Sequence, residues 1–136
     1  AMMGEAVVIV NPALKKDFRY IIKNRGAMLA KGRLLGIQFE TLFEDGLYFE
    51  VAKHADKMAM QIRNAFEKKG IKMLFDSKTN QQFPILPNEM IEKLAEKYAF
   101  SFWCKVGDAH TAVRFCTSWA TKEENVAELL EDIKKL

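Results

Sequence analysis

At 136 residues, 49% hydrophobic and 29% charged, the chain has the size and composition of one soluble globular domain, and disorder is excluded. The 21 basic and 18 acidic side chains leave a net charge of +3 spread along the sequence, with no clustered footprint for nucleic acid. No apolar run approaches the ~20 residues a membrane helix needs, so no span is expected.

Glu5 to Val10 (EAVVIV) is β-branched on both faces and reads as a strand buried inside a sheet. Met2 to Val10 has no basic flank and does not read as a targeting signal. Asn11-Pro12 then suits a helix start, with Leu14, Phe18, Ile21 and Ile22 on one face and Gly26 as the breaker. Residues 27–44 give a second helix. Gly32 and Gly36 lie four apart inside it, a pattern expected where something approaches the backbone closely. Asp45-Gly46 resets the chain. The next helix runs to about Lys69 with Leu47, Val51, Ala55, Met58, Ile62 and Phe66 as its buried stripe, and Gly70 suits its left-handed cap.

Beyond Gly70 the period changes to two. Ile71 to Phe75 and Gln82 to Leu86 read as strands, and Pro87-Asn88 opens a short helix bearing Met90, Ile91, Leu94 and Tyr98. Phe100 to Val106 and Ala112 to Trp119 are strands joined across Gly107-Asp108. Thr121 and Glu124 have capping-box spacing ahead of a last helix with Val126, Leu129, Leu130 and Ile133 inward. The second half therefore closes as a small antiparallel sheet covered by helices, an α+β layer. The first half has one apolar strand with no sheet partner of its own, which suggests a piece of something larger.

Arg114 is the most informative residue. It interrupts a strand, sharing a face with Ala112, Cys116 and Ser118 and opposing Val113 and Phe115. A guanidinium there needs an anion: a substrate carboxylate, a phosphate, or the carboxylate of a structural salt bridge, unless the strand face is simply exposed. Arg25, Lys31 and Arg33 beside Gly26, Gly32 and Gly36 could hold phosphate or form a solvated basic face. Thr79-Asn80 is a plain turn or a pair turned toward a cleft. His54 reads as a surface histidine. His110, between Cys104 and Cys116, lacks the orienting group a nucleophilic pair needs. Two His and two Cys so scattered make no metal site. The cysteines read as free, mostly buried thiols of a reducing cytosol, which places the chain in the cytoplasm.

Residues 25–40 (RGAMLAKGRLLGIQFE), 79–83 (TNQQF) and 113–121 (VRFCTSWAT) resemble segments of low-specificity L-threonine aldolases, in family order, and the likeness spans Gly4 to Leu136. The resemblance implies the aspartate-aminotransferase fold and pyridoxal phosphate. It implies cleavage of β-hydroxy-α-amino acids such as threonine or allo-threonine to glycine and an aldehyde, an amino-acid substrate, and a homo-oligomer with neither nucleic-acid nor membrane partners. By that likeness residues 1–44 are a remnant of the large cofactor domain with an interdomain helix, and residues 45–136 the small C-terminal α+β domain. Arg114 aligns with the arginine that holds the substrate carboxylate. Lys31 and Arg33 fall near the segment whose basic residue reaches the cofactor phosphate, although Leu29 stands where many relatives carry arginine. The Schiff-base lysine of the family lies upstream of the segment resembling Met3 to Ala6, so the chain is expected to be an inactive fragment binding no cofactor by itself. The alternative is a free-standing, non-catalytic α+β interaction module.

Overall fold

The computed structural model describes residues 3–136, and Ala1 and Met2 lie outside the described residues. The chain divides into two compact units, Ala1–Tyr48 and Phe49–Leu136.

The first unit is helical and builds no core: none of its described residues is buried. The expected strand at Glu5 to Val10 is not formed. The segment takes no regular secondary structure and pairs with no strand among the described residues, and Val8 and Val10 are 87% and 84% exposed. High β-propensity cannot make a strand where no second strand offers its backbone. What holds this end is local. Gly4, at φ +98°, lies so close to Leu35 that a Cβ there would meet its Cδ2 at 2.9 Å, and the Met3 amide donates to Gln38.

The Asn11 side chain accepts from the Ala13 amide and starts a single 3-10 turn, Pro12–Leu14. Asp17 then adopts a left-handed φ of 55°, so the helix expected from Asn11 begins only as α1, Phe18–Asn24. Gly26 ends that stretch at φ +73°. Helix α2, Arg33–Phe43, starts from Gly32, six residues later than the sequence pattern suggested. Among the described residues no atom beyond the local backbone lies within 4 Å of a Cβ added at Gly32 or Gly36. Asp45 and Gly46, both at positive φ, make the reset before α3, Leu47–Lys68.

In the second unit α3 buries Ala55, Met58, Ala59, Ile62, Ala65 and Phe66, as its stripe predicts, while Leu47 is left exposed. Gly70 caps it at φ +78° with its amide on the Glu67 carbonyl and the Ile71 amide on the Phe66 carbonyl. That crossed pair satisfies the last carbonyls of the helix.

Four strands follow: β1 Gln81–Gln82, β2 Ile85–Pro87, β3 Ser101–Lys105 and β4 His110–Cys116. All pairing is antiparallel, and β4 is central. Gln81 faces Cys116 and Ile85 faces Ala112, so β1 and β2 keep one register along β4. They are the single strand read at Gln82 to Leu86, interrupted where Pro84 has no N–H to donate. The Pro84 carbonyl still accepts from the Val113 amide. The strand expected at Ile71 to Phe75 is reduced to a bridge between Met73 and Pro84.

Helices α4, Asn88–Ala95, and α5, Glu123–Lys135, join α3 on one face of this sheet around Phe66, Leu86, Leu94, Val113, Phe115 and Ile133. Asn88 clamps the β3–β4 hairpin by donating to the Asp108 carbonyl and accepting from the Thr111 hydroxyl. The capping box does not form. The Thr121 hydroxyl accepts from the Ser118 amide instead, and α5 begins after Lys122 without a side-chain cap.

Asp132 on α5 accepts from Lys97 at 2.6 Å, Tyr98 at 2.7 Å and Lys135 at 3.2 Å. The Lys97 bond first, then those of Tyr98 and Lys135, hold its carboxyl well below the ordinary carboxylate range. Because the folded state binds its proton less readily than the unfolded chain, this stabilisation is complete above the unfolded value of about 4. It is lost as pH falls through the lower, folded value. Urea midpoints of the native chain and of Asp132→Asn should therefore differ at pH 7 and converge progressively below about pH 4. A gap unchanged at pH 3 would show that the network contributes nothing through this proton.

Candidate functional site

The sheet has one face on the helices and one turned away from them. Alternation along β4 sends Val113 and Phe115 into the core and places Arg114 on the other face. Ser101 pairs with Arg114 on β3, and the shared register of β1 and β2 brings Phe83 opposite it on the other side. The arginine therefore stands on the central strand, and the exposed-edge reading does not hold.

Its surroundings are aromatic. The guanidinium carbon lies 5.7 Å from the centre of the Trp103 ring. Trp103 meets Phe83 edge-on at 4.9 Å and Phe75 at 6.3 Å, and those two phenylalanines are 5.1 Å apart. Arg114 is half-buried, and its Nε is shielded from solvent with no hydrogen-bond partner. Among the described residues no carboxylate lies within ion-pair distance of it. The structural salt bridge, one of the alternatives for this residue, is absent. A permanently charged fork on an aromatic floor, with no internal anion, suits a planar external one.

Lys31 and Arg33 belong to the first unit, and both are exposed. Arg33, at the first turn of α2, reaches Glu40 at 3.2 Å, and Arg25 caps the end of α1. The Asn80 amide donates to the Thr117 carbonyl at 2.7 Å, and the Thr79 hydroxyl meets Ser77 and the Gln81 amide. That pair ties the start of β1 to the end of β4 and is used up within the turn.

His54 is half-buried rather than on the surface, and its Nε2 donates to the Thr121 carbonyl at 2.7 Å. Cys104 and Cys116 are free thiols, but not buried as expected: Cys104 is half-buried and Cys116, at the end of β4, is exposed, and no hydrogen bond among the described residues joins either to His110. Among the described residues no three His, Cys, Asp or Glu side chains gather as a metal site would require. Among the described residues no helix is long and apolar enough to cross a membrane.

Two functional-looking residues escaped the sequence pattern. Arg63 on α3 holds Asp76 and Glu67 at 2.8 Å each and the Ser77 carbonyl at 3.0 Å, pinning the turn ahead of β1. Trp103 carries no motif, and only alternation from Ser101, the partner of Arg114, would have placed it on the same face.

Comparison with known proteins bears on this arrangement. The chain is 43% identical, at a TM-score of 0.80, to a Leishmania major threonine aldolase over 93% of its own length and 37% of that protein's. This chain is related to the threonine aldolases. Over 133 residues it is 31% identical to a low-specificity L-threonine aldolase from Pseudomonas sp. (strain NCIMB 10558) and 29% identical to one from Pseudomonas aeruginosa. Each match covers 97% of this chain, which spans 38% of the length of either relative. No family model matches. The chain is thus an α+β chain that corresponds to a portion of the enzymes it is similar to.

Proposed function

We propose that the chain supplies the carboxylate-binding portion of an aldolase that cleaves β-hydroxy-α-amino acids such as threonine or allo-threonine to glycine and an aldehyde. The observation that carries this reading is Arg114, set on the open face of the sheet without an internal anion. Its role is to fix the amino acid by its carboxylate so that the bond to be broken is held in one orientation. In this reading residues 45–136 are the small C-terminal domain and residues 1–44 belong with the large cofactor domain. The exposed apolar residues of the first unit support assembly as a homo-oligomer, and the free thiols support a cytoplasmic setting.

Pyridoxal phosphate, when bound in such an enzyme, supplies the electron sink for carbanion formation. Its covalent anchor is a lysine whose pKa is depressed by burial or by cationic neighbours. Every lysine of this chain is exposed, and Lys97 is shifted upward by its bonds to Asp132 and Glu128. The lysines present do not fit that anchor. Lys31 is the freer candidate for a cofactor phosphate, since Arg33 already meets Glu40.

The chain alone is therefore expected to be inactive. Incubation with pyridoxal phosphate and allo-threonine, followed by borohydride trapping and peptide mapping, should give heterogeneous, weak lysine labelling and no glycine. Supplying the preceding portion of a threonine aldolase in trans should restore both cofactor binding and glycine release. One dominant labelled lysine with steady glycine formation by the chain alone would overturn this reading.

A further inference from the structure

The outer face of the sheet carries more than the arginine. Strand β3 shifts register against β4 between Phe102, which faces Val113, and Cys104, which faces Ala112. Trp103 is the extra residue of that bulge, and bulges re-aim side chains beside functional sites. Its ring is diagonal to Arg114 across the ladder, within the reach of a large aromatic. Phe83 and Phe75 meet it edge-on at 4.9 Å and 6.3 Å and brace a ring that is itself 44% exposed.

The buried Nε of Arg114 constrains what the guanidinium can do. An anion cannot reach a nitrogen that is shielded from solvent, so the side-on fork through Nε is closed. Only the two terminal nitrogens remain for a planar carboxylate, approached end-on. The indole, 5.7 Å from the guanidinium carbon, offers the cation an electron-rich face.

We infer that Trp103 is a positioning residue for Arg114: set by the β3 bulge and braced by Phe75 and Phe83, its ring holds the guanidinium with Nε inward and presents the terminal nitrogens to an incoming carboxylate. The consequence for binding rests on the reading of Arg114 as the carboxylate anchor. The hold on the side chain is independent of it.

Nitrogen–proton spectra of the full chain test both parts, with the Arg114 Nε–H resonance assigned by its loss in Arg114→Lys. In the native chain this resonance should be sharp, slow to exchange and displaced by the ring current of Trp103. Trp103→Leu should move it into the averaged arginine signal, and Trp103→Phe should restore part of the displacement. An unchanged resonance in Trp103→Leu overturns the inference. Should the leucine variant lose its fold, Phe75→Leu removes a brace while keeping the indole, and the same resonance must then shift or the inference fails.

Sodium acetate supplies the carboxylate. Its titration should move the Arg114 signals, with binding about two- to fivefold weaker in Trp103→Leu, the scale of an exposed cation–ring contact. Equal affinities in both chains overturn the positioning role. No response to acetate in either overturns the carboxylate reading of Arg114, while the resonance comparison still decides what Trp103 holds.

Discussion

Replacing Arg114 with lysine, in this chain joined to the remainder of a threonine aldolase, is expected to weaken amino-acid binding by about 10- to 100-fold, the worth of one of two charge-assisted hydrogen bonds. Lysine keeps the positive charge and loses the planar fork, so the substitution separates geometry from electrostatics. The flexible lysine stem also has no planar head to lie on Trp103, whose ring stands 5.7 Å from the guanidinium carbon. Cofactor affinity should change little. The measurement is substrate titration of the assembled enzyme beside cofactor titration of the same preparation. Equal losses for the two would make Arg114 a structural residue.

The second large effect belongs to the core. Phe66 is fully buried on α3 and meets Phe115 of the central strand at 5.5 Å between ring centres. Truncating such a ring removes its transfer energy and leaves a cavity, at about 3–5 kcal/mol together. Domains are stable by about 5–15 kcal/mol, so Phe66→Ala is expected to bring the second unit close to unfolding. Urea denaturation followed by circular dichroism should show the midpoint falling by half or more. Phe66→Leu should recover most of it, because leucine refills much of the volume without a new polar group.

How much of this was legible follows from which interactions are local. The α3 stripe from Ala55 to Phe66 and the Gly70 cap could be read because helical spacing and a positive φ are properties of neighbouring residues. The placement of Arg114 opposite Val113 and Phe115 was equally legible, since strand alternation has a period of two. The failures are of two kinds. Thr121 takes the Ser118 amide three residues back instead of capping its own helix, a local alternative that capping-box spacing does not decide, whereas His54 finds the Thr121 carbonyl across 67 positions, a partner no window around it contains. The first-unit helices started late because Asp17 turned left-handed and Gly32 became a start site, choices that intrinsic propensity decides only weakly. Trp103 was missed because nothing in the sequence marks Ser101 as the partner of Arg114, the pairing from which alternation would have placed it.

The unpaired stretch from Ala6 to Val10 has a consequence for handling the protein. Five apolar residues, four of them β-branched and none proline or charged, lie outside any strand, mostly exposed, with no ladder partner among the described residues. Identical segments from different molecules can stack in register, each closing the hydrogen bonds of the one below, and the side chains then interlock between paired sheets. Such growth is nucleated and depends on encounter. The storage life of the protein is therefore set by concentration and elapsed time, and a lysine at Val8, facing outward at 87% exposure, is the place to interrupt it.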